Sequence, residues 1–441
     1  MADNFLQPPD DTIAPVEDPQ EELKGIVGYV KDKFQSAEDG RYTHEQRWLK
    51  AYKNFRGIYD STTQYRDSER SRVFLRITKT KVLAAFGQIT DILFANKKFP
   101  IVVESTPVPE GIAEFAHMQT PLDQAEQPLD PYGFPGDGRQ VQPGSMDFLG
   151  GLQDKYEGTP LAEGPAKIGE PQISPAQEAA LNMEKEIHDQ LTDTGAVNVL
   201  RTALFEQILL GTGVVKGPML KNKRLHRWTK NDMGERTYTP SEMLCPEIEA
   251  VSCWDFFPDP SAVKSEDCEY VIQRHRMNRQ QLRNLANYPY FNIEAIDNVI
   301  ALGPNYEDKY YEDTIRDDET EPNYNKNRYE VLEYWGIMDK SFIDGAGGLI
   351  DQDISSMDQL QVNVWVCGNE VIRFVLNPFT PARIPFHVVP YEINPYQIFG
   401  TGVPENMEDA QLLMNGHMRM AIDNLALAGN LVFDVDEASL V

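Results

Sequence analysis

Two groups of acidic residues contain carboxylates that could bind a divalent metal ion. Asp259 follows Pro258, and Glu307, Asp308 and Lys309 lie about fifty residues further along. Carboxylates in this order can bind one or two Mg²⁺ ions while the lysine lies near the attacking water, which is the chemistry of a metal-dependent nuclease. The second group falls inside a run of charged residues, and a solvated charge run is the simpler interpretation. We therefore expect no catalytic residue here and keep an acidic metal-dependent nuclease as the alternative.

Other motifs with a known chemistry are absent from the sequence. The stretch GTGVVKG at 211–217 lacks the GxxxxGK[ST] order of a phosphate loop, because Lys216 precedes Gly217. The seven histidines show no HExxH spacing, the four cysteines form no CxxC pair, and no GxSxG occurs. We expect no cofactor and no metal ion.

Two clusters of basic residues are candidates for contact with phosphates or with acidic residues. The first cluster comprises Lys216, Lys221, Lys223, Arg224, Arg227 and Lys230, and Trp228 lies between its last two members. The second comprises Arg274, Arg276, Arg279 and Arg283. Such residues can touch a phosphate backbone non-specifically, form salt bridges within or between subunits, or remain solvated. Salt bridges are the favoured interpretation in a chain this acidic.

The net charge of −28 is concentrated in three stretches. Residues 1–22 carry seven acidic and no basic residues, residues 104–176 carry twelve and three, and residues 304–326 carry eight and three. The first stretch predicts an acidic N-terminal tail and the third an acidic surface loop. The second is rich in proline and glycine and predicts a mobile insertion, because it has few apolar residues to offset the entropy of ordering. The rest of the chain is only mildly acidic.

Helical patterns come first along the chain and strand patterns later. Apolar spacing predicts helices over 20–38, 43–56, 72–95 and 277–286, and a helix pair over 175–210. Strands are predicted over 99–103, within 214–275, and over 327–338 and 360–376, with a turn at Gly368–Asn369. The predicted fold class is α+β with antiparallel strands. No run of 18 apolar residues occurs, so no membrane contact is expected.

The segment 401–430 predicts a long helix of about 24 residues, or ~36 Å. Pro404 suits its first turn and Gly429 its end. One face carries an apolar stripe formed by Met407, Ala410, Met414, Met418, Ala421, Leu425 and Ala428. The other face carries Gln411, Asn415, Arg419 and Asp423. This pattern fits an ordinary amphipathic core helix or a strut that packs against copies of itself or a partner.

Stretches spread over residues 40–430 resemble, in their order, the portal proteins of tailed bacteriophages, particularly those of short-tailed phages. They are RYTHEQRWLKAYKNFRGIYD, SRVFLRITKTKVLAAFGQITDILF, ILLGTGVVKGPML, VSCWDFFPDPSA and YEVLEYWG. The last one, PYQIFGTGVPENMEDAQLLMNGHMRMAIDN, is similar to the segment in which a portal chain enters its first channel-lining stem helix.

The resemblance implies a structural, ring-forming subunit, usually one of twelve, at a single capsid vertex. Double-stranded DNA would be packaged and ejected through the ring. The expected partners are other copies of the chain, the major capsid protein, terminase, adaptor or tail proteins, and scaffold or core proteins. The expected location is the virion, and the host cytoplasm during assembly. A non-portal virion or scaffold protein remains a further alternative.

Carried over to this chain, the resemblance divides it into portal domains. The wing would comprise a helical part at 23–103, a second part at 177–303 and a strand-rich part at 327–400. The first stem helix would be 401–430, and 431–441 would begin the clip, with the chain continuing beyond Val441. The polar positions of the stem helix would face the channel or the next subunit. The insertion at 104–176 has no counterpart in the family pattern.

Overall fold

The computed structural model describes residues 19–60, 63–65, 69–94, 99–105, 175–230, 236–316, 327–340 and 359–429. Of the described residues, 99–105 and 175–189 belong to one compact unit and the others belong to a second unit. Several predictions fall outside the described residues: most of the acidic tail, residues 106–174 of the insertion, residues 317–326 of the acidic loop, and the start of the clip.

Helices occur along most of the described chain. They are α1 Pro19–Arg56, α2 Ile77–Phe94, α3 Pro175–Asp193, α4 Ala196–Leu210, α5 Arg279–Leu285, α6 Ile293–Leu302, α7 Glu312–Arg316, α8 Val403–Asn406 and α9 Glu408–Gly429. The predicted helix pair is confirmed as α3 and α4. Gly211 ends α4 with a left-handed backbone at φ 90°, a conformation that glycine adopts without steric cost.

The strands form two antiparallel sheets. They are β1 Thr212–Lys230, β2 Arg236–Val251, β3 Phe256–Pro258, β4 Tyr270–Met277, β5 Tyr329–Asp339, β6 Gln359–Cys367, β7 Glu370–Leu376 and β8 Phe386–Pro390. One sheet has the order β2-β1-β8 and the other β3-β4-β5-β6-β7. The predicted turn at Gly368–Asn369 joins β6 to β7, where Cys367 pairs with Glu370. The α+β class with antiparallel strands is therefore confirmed.

The five-stranded sheet is buried on both faces. Leu332 and Tyr334 on β5 pack into a core with α1, which contributes Ile26, Val27, Val30, Phe34 and Ala37. Val331, which precedes Leu332 and points to the opposite face, packs into a second core with α5 and α6. Because successive side chains of a strand point to opposite faces, a sheet covered on both sides needs nearly continuous apolar strands. This explains runs such as VLEYW in β5.

A single helix, α1, replaces the two predicted over 20–38 and 43–56. Gly40 lies at the expected break, but there it allows close packing, since a Cβ on Gly40 would lie 2.8 Å from Pro260 Cβ. The next residue, Arg41, is buried and donates to the carbonyl oxygens of Cys253 at 2.9 Å and Phe256 at 2.6 Å. The helix therefore continues because a loop distant in sequence packs against its middle.

Two further predictions differ from the structure. The strand expected at 99–103 is wrong, because none of the described residues 99–105 belongs to a strand. Instead, Val103 N donates to a carboxylate oxygen of Glu184 on α3 at 3.2 Å within the same unit. The first half of the predicted acidic surface loop contains α7. Tyr311, the residue before this helix, is 2 % exposed, and its hydroxyl accepts a hydrogen bond from the buried Arg274 at 2.7 Å.

No helix in the described part of the chain combines the length and the apolar character needed to cross a membrane.

Candidate subunit interface

Two glycine-containing turns fix the point where the C-terminal helices begin. Gly211–Gly213 and Gly400–Gly402 pack backbone to backbone, with Gly400 N donating to Thr212 Oγ1 at 2.9 Å. A Cβ on Gly400 would lie 2.6 Å from the carbonyl oxygens of Gly211 and Glu392, so no larger residue fits there. Gly402 caps α8, and the buried Pro404 lies in the first turn of that helix. The direction of the C-terminal helices is therefore set by contacts with the start of β1.

The polar face of α9 lies against its own chain. Gln411 and Asn415 are each 2 % exposed. Gln411 Oε1 accepts from Thr78 N at 3.1 Å and Thr78 Oγ1 at 2.9 Å, and Gln411 Nε2 donates to Leu75 O. Asn415 Oδ1 accepts from Leu75 N at 2.9 Å. Thr78 N is one of the first amides of α2, which have no partner within that helix, so Gln411 caps α2 from across the fold.

Arg419 and Asp423 extend this face along α9. We call Gln411, Asn415, Arg419 and Asp423 the polar row. Arg419 Nη1 donates to the Tyr59 hydroxyl at 2.9 Å, and the Asp423 carboxylate accepts from Ser71 N at 2.9 Å. Residues 69–81 are here called segment 69–81, and its contacts with α9 run from Asp423, which binds Ser71, to Gln411, which binds Thr78. The structure differs here from the expectation that these polar positions face a channel or the next subunit, because each has a partner in its own chain.

The predicted apolar stripe of α9 is largely exposed. Met414, Met418 and Leu425 are 43 %, 36 % and 71 % exposed, and the alanines Ala410, Ala421 and Ala428 are exposed as well. Met407, in the break between α8 and α9, is half-buried. An exposed row of large apolar side chains on a folded protein is a candidate interaction surface. We call these residues the first stripe.

A second apolar stripe lies on another side of the same helix. Leu413, Met420 and Leu427 recur every seven residues and are 62 %, 42 % and 70 % exposed. At about 100° per residue, the second stripe lies about 120° from the first stripe and about 120° from the polar row. One helix thus presents one face to its own chain and two separate apolar faces to solvent.

The first basic cluster lies on β1, and its described members bind carboxylates of the same chain. Lys216 is buried, and its Nζ lies 2.6 Å from Glu333 Oε2. Lys221 is exposed and lies 3.3 Å from Glu247 on the paired strand β2. The backbones of Lys223, Arg224, Arg227 and Lys230 belong to β1, and their side chains lie outside the described part of the structure.

The second basic cluster divides into a pair that binds Asp255, with Arg274 buried and Arg276 half-buried, and an exposed pair. Arg274 Nη2 and Arg276 Nη2 each lie 2.9 Å from Asp255 of the CWDFFPDP stretch. Together, these contacts hold Asp255 between two guanidinium groups. Arg279 and Arg283 lie exposed on α5. The structure therefore does not bring the four arginines together into one basic surface.

The acidic residues with nuclease-like spacing are not brought together as a metal site. Asp259 is buried, and its Oδ1 accepts from Ser261 N and Ser261 Oγ at 2.9 Å each, while Lys309 Nζ binds Glu38 at 2.7 Å. In the described ranges, no group of three or more His, Cys, Asp or Glu side chains is placed to hold a metal ion. The four cysteines are buried free thiols.

Sequence reasoning missed the second stripe and the role of segment 69–81. The seven-residue spacing of Leu413, Met420 and Leu427 was available as a signal for the stripe. The contacts of segment 69–81 were not, because they join residues more than 330 positions apart.

The chain matches a model of a known protein family. A family model described as "Phage SU10 portal protein" matches residues 184–439, which is more than half of the 441-residue chain and includes both glycine turns and all of α9. No curated protein matches the chain.

Proposed function

The chain belongs to the Phage SU10 portal protein family, and from this premise we propose that its copies close into a ring that conducts double-stranded DNA. We propose that the ring has twelve subunits, occupies one capsid vertex, and serves in packaging and ejection. The partners would be the major capsid protein, terminase, adaptor or tail proteins, and scaffold or core proteins. The ring would assemble in the host cytoplasm and remain in the virion.

The observation that carries this proposal is the exposure of two separate apolar stripes on α9. A subunit in a closed ring meets two neighbours through two different surfaces, because contacts in a cyclic assembly are heterologous. One stripe alone would suit a two-fold dimer, in which the same surface meets itself. Two stripes on one helix, with Leu425 71 % and Leu427 70 % exposed, supply a surface for each neighbour.

The angle between the stripes supports an orientation for the helix. In a closed ring, the side of a subunit that faces the axis is the side on which its two neighbour contacts are less than 180° apart. The stripes are about 120° apart on the side that carries His417 and Asn424. We therefore propose that His417 and Asn424 face the channel axis. The polar row and segment 69–81 then face away from it.

The charge of the chain suits a channel that does not hold DNA tightly. Outside the three acidic stretches the chain is mildly acidic, and Lys216, Lys221, Arg274 and Arg276 of the basic clusters already bind carboxylates. DNA passing such a wall would meet few fixed counter-charges. Because the family is structural, we expect a partner to supply the chemistry of packaging.

The proposal is tested by electron microscopy and native mass of the purified chain. Twelve copies of the 50.1-kDa chain have a mass of about 601 kDa. We expect rings with a central hole for the wild type and smaller species for the variant M418D/L425D, because a carboxylate in each contact would have to be desolvated. The matched control is L302D, which changes an equally exposed leucine on α6. Monomers of the wild type, or normal rings of M418D/L425D, would contradict the proposal.

A further inference from the structure

Segment 69–81 carries an unusual concentration of positive charge for this chain. Its sequence is ERSRVFLRITKTK, with five basic residues and one acidic residue, in a protein with 69 acidic and 41 basic residues. Its basic residues are Arg70, Arg72, Arg76, Lys79 and Lys81. Lys79 is half-buried and the other four are exposed. The segment is therefore a positive surface on a negative molecule.

The structure holds this segment firmly in place. Its backbone amides at Arg70, Ser71, Leu75 and Thr78 donate to side chains of the polar row on α9. The one acidic residue, Glu69, binds Arg419 at 3.4 Å. The backbone that carries these cations is thus held against the polar row of α9, between Asp423 and Gln411.

These cations have no carboxylate partner in the described part of the chain. The Arg72 guanidinium lies 3.9 Å from the centre of the Tyr65 ring, and Lys79 Nζ lies 5.7 Å from that of Phe55. By contrast, exposed or half-exposed cations elsewhere, such as Lys50 and Arg47, bind glutamates of α8 and α9. Carboxylates are therefore plentiful in the chain, but the fold directs none of those described toward this segment.

We propose that segment 69–81 binds a carboxylate-rich surface of the neighbouring copy in the ring. This inference rests on the proposed function. Copies with a net charge of −28 repel one another, so a stable ring needs local contacts between opposite charges. This segment, held against the polar row of α9, offers five cations for such a contact. Carboxylates of a second copy fit it better than DNA, because the polar row places the segment on the side of α9 away from the proposed axis.

The experiment compares two charge-matched triple variants of the full chain. R70Q/R76Q/K81Q removes three exposed charges of segment 69–81. It keeps Arg72 and Lys79, which contact the aromatic side chains of Tyr65 and Phe55. K24Q/R279Q/R283Q removes three exposed charges from α1 and α5 and gives the same net charge. Ring formation is followed by mass photometry against protein concentration, at NaCl concentrations of about 50 mM and about 500 mM, where screening is weak and strong.

We expect R70Q/R76Q/K81Q to need about tenfold more protein for half-assembly at low salt, which corresponds to the loss of about three modest ion pairs per contact. At high salt, we expect it to approach the wild type, because screening removes the same interaction from both. The variant K24Q/R279Q/R283Q should assemble like the wild type at both salt concentrations.

Two outcomes would overturn the inference while leaving the ring intact. In one, the two triple variants assemble alike. In the other, R70Q/R76Q/K81Q assembles like the wild type but binds less of a short DNA duplex in a filter-binding assay. That result would make the segment a DNA contact. If the wild type forms no ring at either salt concentration, the proposed function is wrong and this inference falls with it.

Discussion

Lys216 Nζ lies 2.6 Å from Glu333 Oε2 in the interior, and this ion pair joins the two sheets of the molecule. Lys216 is on β1 of the three-stranded sheet, and Glu333 is on β5 of the five-stranded sheet. His275 and Trp335 also contact the carboxylate of Glu333, each at 2.7 Å. Burial alone would raise the pKa of Glu333, but the Lys216 ammonium and the hydrogen bond to His275 outweigh it and hold the pKa well below its usual range.

Replacing Glu333 by Gln should strongly destabilise the fold. The substitution leaves the buried Lys216 ammonium without a counter-charge, which costs about 3–5 kcal/mol in the free energy of unfolding. Urea denaturation measures this loss. The control is E247Q, which removes the nearer of two carboxylate partners of the exposed Lys221 on β1 and should change stability by no more than about 1 kcal/mol. Equal effects of the two variants would show that the buried pair has no special role.

Replacing Gly400 by Ala should displace the start of the C-terminal helices. The added Cβ would lie 2.6 Å from two carbonyl oxygens, so the backbone must shift, at a cost of about 1–3 kcal/mol. The control is G416A in the middle of α9, where a Cβ meets nothing within 4 Å. That variant should gain up to about 1 kcal/mol from helix propensity. Thermal unfolding of both variants checks the opposite signs.

Replacing Gln411 by Leu should weaken the contact between α9 and segment 69–81. The variant leaves Thr78 N, Thr78 Oγ1 and Leu75 O buried without their partner, and unpaired groups of this kind cost about 1–3 kcal/mol each before relaxation. Hydrogen exchange should report faster opening of α2 in this variant. H417L changes an exposed residue of the same helix and should leave exchange in α2 as it is in the wild type.

Stability should fall below neutral pH because of His44. Burial, with a smaller effect of Arg47 and Arg41, lowers the pKa of His44 to about 4 from an ordinary value of 6.5. The folded state therefore favours neutral His44, and the stability it contributes is complete above pH 6.5 and is lost as the pH falls from 6.5 toward 4. At pH 5 the loss should be about 2 kcal/mol. In H44Q, denaturation midpoints should depend less on pH in this window, and parallel curves for the two proteins would contradict the assignment.

Asp259 should act in the fold and not in DNA cleavage. D259A removes the acceptor of two hydrogen bonds from Ser261 and should cost about 1–2 kcal/mol, while E307A changes an exposed residue and should cost less than about 0.5 kcal/mol. Plasmid incubation with Mg²⁺ checks the alternative. Cleavage by the wild type that is lost in both variants would establish a nuclease.

Local patterns were sufficient for the helices and strands whose partners are their own neighbours. The apolar spacing of α3 and α4, the turn at Gly368 and the runs of β5 and β6 could all be predicted, because each reflects burial or a backbone conformation that the residue types themselves express. The first stripe of α9 was also visible, because its seven-residue repeat is a property of one helix.

Features that depend on distant partners could not be predicted. Helix α2 begins at Ile77, later than the expected residue 72, because Leu75 N and Thr78 N bind side chains of α9. Helix α1 continues through Gly40 because the loop around Pro260 packs there. The polar face of α9 resembles a solvated face in sequence, since nothing local to Gln411 or Asn415 indicates that their amides are buried. In each case the missing information is a contact across the fold.

The polar row has a consequence for the order of events during synthesis. Leu75 and Gln411 are 336 positions apart, so at about 5–20 residues per second the ribosome needs roughly 20–70 s to supply the second partner after the first. During this interval, the nascent segment 69–81 is rich in arginine and lysine, which water solvates well, and it can wait without aggregating. If leucines formed this contact instead, each nascent chain would expose an apolar, aggregation-prone segment for most of its time on the ribosome.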